Sequence, residues 1–237
     1  MNKFRLTRRE WMLFAFPFAL LLLSHAHKMR GFDASELSLR LNPFARAREN
    51  ARRSSCQSNL KQIALGFAQY TQDYDGRFPL NSNPKRGWVF ANVAYTKSCP
   101  ILSCPSETTA PVPMVPDYWM NGNLNDRSGR GVSVKQIDLP EHTFLLGDGD
   151  QKVSAPNYTL TEKTWKATAP YAKRHLFGAN YAFADGHVKW LKPEIVDAGK
   201  KEASCCTNYA FKIEIIKAGA APHDHKKHGA HEKDHQH

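Results

Sequence analysis

The apolar positions between residues 56 and 74 follow the period of an α-helix. Steps of three and four residues separate them, so they fall on one helical face while basic residues occupy the other. The sequence predicts a helix from Asp33 to Tyr74 that ends at Gly76 and packs its apolar face against a domain. The residues predicted to pack there are Leu60, Ile63, Phe67, Tyr70 and Tyr74.

A period of two replaces the helical period further along the chain. Tyr181 and Phe183 alternate with small residues, Asp185-Gly186 offers a turn that tolerates positive φ, and the alternation then resumes. This pattern predicts a β-hairpin. Residues 143–148 and 209–216 are predicted to be further strands.

The N-terminal region contains an apolar run that suggests a membrane segment. Trp11 to Leu23 carries no charge and follows four basic residues, which favours a cytoplasmic N-terminus. A span needs about 20 apolar residues, and this run is shorter. Two interpretations stay open: an uncleaved single-pass anchor, or a signal peptide cleaved after Ala26. Under either, we expect the body of the protein to leave the cytoplasm.

The charge of the chain is unevenly distributed. The 237 residues carry a formal net charge of +11, and residues 1–61 hold twelve Lys and Arg against four Asp and Glu, a difference of +8. A basic N-terminal quarter beside an apolar run is typical of contact with a membrane surface. No zinc finger, RNA-binding aromatic box or basic zipper accompanies the charge, so nucleic acid is not an expected partner.

The five cysteines would meet an oxidising environment in an exported protein. Cys99 and Cys104 could close a small disulfide loop, remain free thiols, or supply two ligands of a metal site. The adjacent Cys205 and Cys206 rarely bond each other, because the peptide between them must distort. All three interpretations of Cys99 and Cys104 stay open at this point.

Three carboxylates near predicted turns form a candidate calcium site. Asp148, Asp150 and Asp185, with the Asn180 amide, offer the oxygen ligands that calcium prefers. The alternative is that the Asp-Gly pairs are ordinary turns, selected for their backbone geometry.

Catalytic motifs are missing from the sequence. It contains no nucleophile elbow, HExxH motif or glycine-rich phosphate loop. His175 is therefore interpreted as a structural hydrogen-bonding residue. The sequence predicts a non-enzymatic protein with no required cofactor and no identified small-molecule substrate.

The C-terminal residues 218–237 are rich in histidine and poor in apolar residues, which predicts a disordered tail. Neutral imidazoles are good ligands for zinc, nickel and copper. The tail is therefore either a site that captures transition metal or an unstructured soluble extension. The candidate ligands are His223, His225, His228, His231, His235 and His237.

Several motifs together resemble one bacterial family. The segments PFARARENARRSSCQSNLKQI (43–63) and QYTQDYDGRFP (69–79), the Cys104-Pro105 pair, and a histidine separated by nine residues from Asp-Gly resemble prepilin-type H-X9-DG proteins. These are similar to type IV pilins and type II secretion pseudopilins. The resemblance assigns the family motif to His175, Asp185 and Gly186. It implies an α+β fold in which a long N-terminal helix, membrane segment plus amphipathic stem, packs on a small antiparallel β-sheet.

The chain departs from that family where the membrane span would begin. Gly31-Phe32 and Glu36-Leu37 keep the outline of a prepilin peptidase site, but the stretch before Pro43 is too short and polar to span a bilayer. The apolar run lies upstream instead. A pilin-like domain on a different anchor is therefore expected.

The sequence predicts four parts. These are a basic terminus with the apolar segment (1–30), the stem (31–76), an exported globular domain (77–217) and the tail (218–237). The resemblance implies a structural subunit of a secretion or surface filament system, in the bacterial inner membrane, with its domain periplasmic or extracellular. The expected partners are the membrane and copies of itself or other pilin-like subunits. The alternative is an exported protein that captures metal with its tail.

Overall fold

The structure is a computed structural model, and it describes residues 42–80, 87–125, 131–150, 158–161 and 163–201, without the side chains of 199–201. The apolar N-terminal segment, the strand predicted at 209–216, Cys205, Cys206 and the His-rich tail lie outside the described residues.

The described residues form an α+β fold. Its helices are α1 (Pro43–Asp73), α2 (Trp88–Thr96) and α3 (Pro193–Lys201). Its strands are β1 (Tyr118–Asn121), β2 (Phe144–Asp148), β3 (Thr159–Leu160), β4 (Ala179–Phe183) and β5 (Val188–Leu191). Short 3₁₀ helices lie at Pro100–Leu102, Gly122–Leu124, Val134–Gln136 and Pro170–Lys173.

Helix α1 is 31 residues long and has defined ends. At its start the Asn42 Oδ1 atom accepts hydrogen bonds from the backbone N–H groups of Phe44 (3.0 Å) and Ala45 (3.2 Å), which makes Asn42 an N-cap. At its end Gly76 adopts a φ of 70° and donates its N–H to the Thr71 carbonyl at 2.7 Å. A glycine in this left-handed conformation commonly terminates a helix, as the sequence predicts.

The five strands form one sheet in the order β3-β1-β2-β4-β5. Neighbours are antiparallel except for β3, which runs parallel to β1. The prediction of an antiparallel sheet is therefore wrong at this edge, and the sheet is mixed. The reason is topological: β2 runs opposite to β1, and the chain reverses again before β3, which thus returns alongside β1 in the same direction. The hairpin predicted around Asp185-Gly186 is confirmed as β4 and β5.

Both faces of the sheet are covered, so every residue of β1, β2 and β4 is buried. Helix α1 packs on one face, through a core cluster that includes Leu60, Ile63, Phe67, Trp88, Tyr118, Met120, Leu146 and Ala182. A second cluster on the other face includes Trp119, Phe144, Trp165, Tyr181, Phe183, Leu191 and Val196. Leu60, Ile63 and Phe67 thus lie in the core, as the helical period predicts.

Tyr74 does not pack in the core, contrary to prediction. Its side chain is 53% exposed, and its ring stacks on that of Tyr70 with 4.1 Å between centroids. Tyr70 is half-buried and also meets Tyr95 edge-on. The two tyrosines cover each other in the last turns of α1, which leaves the outer ring face of Tyr74 in solvent.

None of the helices within the described ranges combines the length and apolarity required to cross a bilayer.

Candidate functional site: a buried cluster of cysteine, histidine and aspartate

Four buried side chains converge between α1 and the sheet. They are Cys56, Cys104, Asp148 and His175, and their sulfur, oxygen and nitrogen atoms all lie within 4.8 Å of one another. Cys104 is 4% exposed and the other three are fully buried. Among the described residues, this is the group of cysteine, histidine and acidic side chains arranged closely enough to hold a metal ion. We call these four residues the buried tetrad.

Two of the four side chains are positioned by regular secondary structure. Cys56 lies one helical turn before Leu60 on the buried face of α1, so the docking of the helix carries its thiol to the sheet. Asp148 is the last residue of β2 and faces β4. There its Oδ2 atom accepts a hydrogen bond from the Asn180 backbone N–H at 2.6 Å.

Cys104 is held by the loop that follows the first 3₁₀ helix. Its backbone N–H donates to the Asp117 Oδ2 atom at 2.7 Å, and Asp117 in turn donates its own N–H to the Leu102 carbonyl at 2.8 Å. Burial raises the pKa of Asp117 to about 6. This reciprocal arrangement fixes the start of the loop, and with it the Cys104 sulfur.

His175 is fixed by a tight turn that precedes β4. Its backbone N–H and carbonyl exchange hydrogen bonds with Gly178 at 2.8 and 3.1 Å. The two residues between them, Leu176 and Phe177, both have positive φ values, of 51° and 67°. Such values are unusual for bulky residues and cost free energy, so the surrounding structure must hold the turn in place. The Trp190 indole N–H also donates to the His175 carbonyl, at 2.7 Å.

The imidazole ring of His175 connects two carboxylates and a thiol. Its Nδ1 atom lies 2.8 Å from Oε1 of Glu49, on α1. Its Nε2 atom lies 3.4 Å from the Cys104 sulfur and 3.5 Å from Oδ2 of Asp148. Ser106 donates a hydrogen bond to the same Glu49 oxygen at 2.8 Å. The ring therefore directs Nδ1 to Glu49 and Nε2 into the buried tetrad.

The electrostatics of the buried tetrad follow from this geometry. Burial lowers the pKa of His175, but hydrogen bonds with Asp148, Cys104 and Glu49 outweigh it and raise that pKa to about 11. The contact between the two thiols lowers the pKa of Cys104 and raises that of Cys56. A thiolate on Cys104 beside an imidazolium is therefore favoured. The Asp148 Oδ1 atom is buried without a hydrogen-bond partner.

The arrangement of Cys104, His175 and Glu49 has the connectivity of a thiol, imidazole and carboxylate triad. A nucleophilic thiol needs a substrate to reach its sulfur. In this structure Cys104 and His175 are buried beneath α1, so the sulfur is enclosed. An enclosed site with these side chains is suited to metal coordination or to a bond between the two sulfurs.

The three residues of the H-X9-DG pattern lie in two places. His175 belongs to the buried tetrad, whereas Asp185 and Gly186 form the turn between β4 and β5. Asp185 accepts hydrogen bonds from the backbone N–H and the Nδ1 atom of His187, at 3.0 and 2.7 Å. Gly186 has a φ of 86° and accepts a hydrogen bond from Nζ of Lys61, on α1, at 2.7 Å. Both ends of the motif thus contact the stem helix.

The candidate calcium ligands are not brought together. Asp148 lies beside Asn180 at the start of β4, and Asp185 follows the end of that strand. Asp150 is half-buried and is not part of the buried tetrad. The length of β4 separates the carboxylates, so three oxygens do not meet around one ion.

Cys104 is not bonded to Cys99, the disulfide partner that the sequence suggested, and instead contacts Cys56. Cys99 and Cys104 are both free thiols, and Cys99 is exposed, with its sulfur 3.9 Å from that of Met114. The 3₁₀ helix between them buries Ile101 and Leu102, and the chain then directs Cys104 inwards to Cys56. Sequence reasoning missed Cys56 and Glu49 as site residues. The signal for Cys56 was its position in register with Leu60 and Ile63 on the buried face.

Comparisons with known proteins add one match. The model of a family described as "Protein of unknown function (DUF1559)" matches residues 45–92. The matched part contains most of α1 and the start of α2. Neither the search of curated proteins nor the search of solved structures found a match.

Proposed function

We propose that this chain is a non-enzymatic, membrane-anchored structural subunit, similar to a pilin or pseudopilin, of a bacterial secretion or surface filament system. The observation that carries the proposal is α1. It is 31 residues long and buries one face against a sheet between Cys56 and Thr71, while basic residues such as Arg46, Arg48 and Arg52 remain exposed. The family match to residues 45–92, which cover most of this helix, is compatible with such a protein.

The H-X9-DG motif has a mechanical role in this proposal. His175 contacts Glu49 of α1, and the Asp185-Gly186 turn contacts Lys61, about three helical turns further along. Arg53 lies between them, with its guanidinium 5.7 Å from the ring centroid of Trp190. The motif therefore attaches the β4–β5 hairpin to the stem at several points along the helix, as an assembly subunit requires if stem and domain are to move as one body.

Two deletions and one mass measurement test the proposal in the producing cell. Removing residues 1–26 should release the protein from the membrane fraction, because the apolar run would be lost. Removing residues 222–237 is the matched control and should leave fractionation unchanged. Mass spectrometry of the mature chain would place its N-terminus at Met1, after Ala26 or after Gly31, which distinguishes an anchor, a secreted protein and a processed prepilin.

Assembly is tested by cross-linking. Ser55 is exposed on α1, so a Ser55→Cys variant exposes a thiol on the stem. Thiol cross-linking of intact cells should give adducts with other copies or with other pilin-like subunits. Thr109→Cys, at an exposed position in the loop after Cys104, is the control for cross-links that form by random collision between molecules. A monomeric protein recovered from the soluble cytoplasmic fraction, without stem adducts, would contradict the proposal.

A further inference from the structure

We propose that Cys56, Cys104, Asp148 and His175 bind one tetrahedral zinc ion that fastens the stem helix to the β-sheet. The ligand set, two thiolates with one imidazole and one carboxylate, is of the kind zinc accepts in four-coordinate sites. The four residues come from α1, a loop, β2 and the turn before β4, so one ion would join elements distant in sequence. This inference holds whether or not the chain assembles into filaments.

Two separations between ligand atoms match those of a zinc tetrahedron. Bonds of about 2.3 Å to sulfur and about 2.0–2.1 Å to nitrogen or oxygen place a sulfur and a nitrogen about 3.5 Å apart, and a nitrogen and an oxygen about 3.3 Å apart. In the structure, Nε2 of His175 lies 3.4 Å from the Cys104 sulfur and 3.5 Å from the Asp148 carboxylate. The other ligand-atom separations are all below 4.8 Å, so a small contraction would bring the four side chains around one ion.

The surroundings of His175 are those of a zinc ligand. A histidine that binds metal through one nitrogen usually donates its other ring N–H to a carboxylate, which fixes the tautomer and the ring orientation. Glu49 Oε1 is that acceptor, 2.8 Å from Nδ1, and it is itself held by the Ser106 hydroxyl. Zinc would replace the proton on Nε2, and the lone pair of that nitrogen would then be directed at the ion and the other three ligands.

A disulfide between Cys56 and Cys104 would explain the positions of these two thiols but not those of the other two side chains in the buried tetrad. It would use the two sulfurs and leave a buried carboxylate, whose Oδ1 atom has no hydrogen-bond partner, beside them. A divalent cation contacts that carboxylate and both thiolates at once and offsets two of their three negative charges, and buried charges require such compensation. A cation would involve all four side chains of the buried tetrad, whereas a disulfide would involve two.

The experiment must separate this site from the histidines of the tail. The full chain is therefore purified in detergent with the six tail histidines replaced by asparagine. Cobalt(II) added to the metal-free protein should give the intense visible bands of a tetrahedral ion and a thiolate-to-cobalt charge-transfer band, which nitrogen and oxygen ligands do not produce. Zinc should displace cobalt at about one ion per chain, as four ligands to a single centre require.

Substitutions identify the ligands. Cys56→Ser and Cys104→Ser should each reduce the thiolate-to-cobalt band by about half or more, since one of two thiolate ligands is lost, whereas Cys99→Ser, the matched control at an exposed thiol, should leave it unchanged. Glu49→Ala should weaken zinc binding by about 10–100-fold, the usual effect of losing a carboxylate partner of a ligating histidine.

Two results would overturn the proposal. One is a Cys56–Cys104 disulfide, without bound zinc, in protein isolated from its own compartment under conditions that trap thiols. The other is an unchanged spectrum on adding cobalt to the reduced protein with the tail histidines replaced. The second measurement needs no ligand variant, so failure of Cys56→Ser or Cys104→Ser to fold does not prevent a decision.

Discussion

Leu65 and Phe67 are two residues apart on α1 and meet opposite environments. Phe67 is 1% exposed, and its ring centroid lies 5.9 Å from that of Trp88 and 6.3 Å from that of Phe78. Leu65 is 53% exposed. The helical period alone separates the two, since a shift of two residues turns a side chain away from the sheet. Comparing alanine variants at the two positions therefore measures how much the packing of α1 contributes to the free energy of unfolding.

Phe67→Ala should lower the free energy of unfolding by about 3–5 kcal/mol, because it removes a buried ring and leaves a cavity between Trp88 and Phe78. Leu65→Ala should change it by less than about 0.5 kcal/mol, as expected of an exposed position. Denaturant unfolding of the two variants beside the unmodified chain measures both. Equal losses at the two positions would contradict the packing of α1 described here.

At the residue scale, the sequence predicted the core positions of α1 but not the partners of His175. The period of α1 placed Leu60, Ile63 and Phe67 in the core because it depends on local spacing. The partners of His175 could not be found in this way. Glu49, Cys56 and Cys104 are remote from it along the chain, and only the packing of a helix, a loop and a sheet brings them together. Residue spacing predicts which side chains share a face of one helix or strand. The buried tetrad combines residues from four separate segments, so spacing could not predict it.

At the scale of elements, α1 and α2 approach closely at a glycine. A Cβ atom added to Gly66 would lie 2.7 Å from Asn92 Nδ2 and 2.7 Å from a methyl carbon of Thr96. That Asn92 amide is buried and donates to the Ile63 carbonyl at 2.7 Å. The glycine therefore allows a hydrogen bond between the side chain of one helix and the backbone of the other.

Gly66→Ala should destabilise the protein by about 1–3 kcal/mol, since overpacking displaces Asn92 and outweighs the gain in helix propensity. A second substitution, Thr96→Ser, removes the methyl group and should restore part of the loss. Thermal unfolding of the single and double variants measures the difference. A Gly66→Ala variant that is more stable than the unmodified chain would show that the two helices are not in contact there.

The elements were predictable in proportion to their length and regularity. The strand at 143–148 and the hairpin around Asp185-Gly186 carry complete periodic patterns, and both are present. The stem helix is present as α1, but it begins at Pro43 and not at the predicted Asp33, because Asn42 lies outside the helix and caps it. Strand β3 has two residues, Thr159 and Leu160, which is too short to show any period. The mixed character of the sheet depends on that strand, so it could not be anticipated.

At the scale of the whole molecule, one sheet separates two core clusters. Strands β1, β2 and β4 contribute side chains to both, because alternate residues point to opposite faces. Tyr118 and Met120 join the cluster beneath α1, while Trp119 between them joins the other. Neither cluster can lose its packing without exposing a face of the shared strands. We therefore expect the region from α1 to β5 to unfold as one cooperative unit.

Native-state hydrogen exchange tests this cooperativity. The amides of Ile63, in α1, and Ala182, in β4, should exchange with the same free energy of opening and the same denaturant dependence, because both need global unfolding. The amide of Ile195 is the control, since it lies in the first turn of α3 with its side chain 44% exposed and should open at lower free energy. If Ile63 exchanged well before Ala182, the stem would open independently of the sheet. A subunit that transmits force between a membrane anchor and an external domain could not then rely on this helix as its rigid connection.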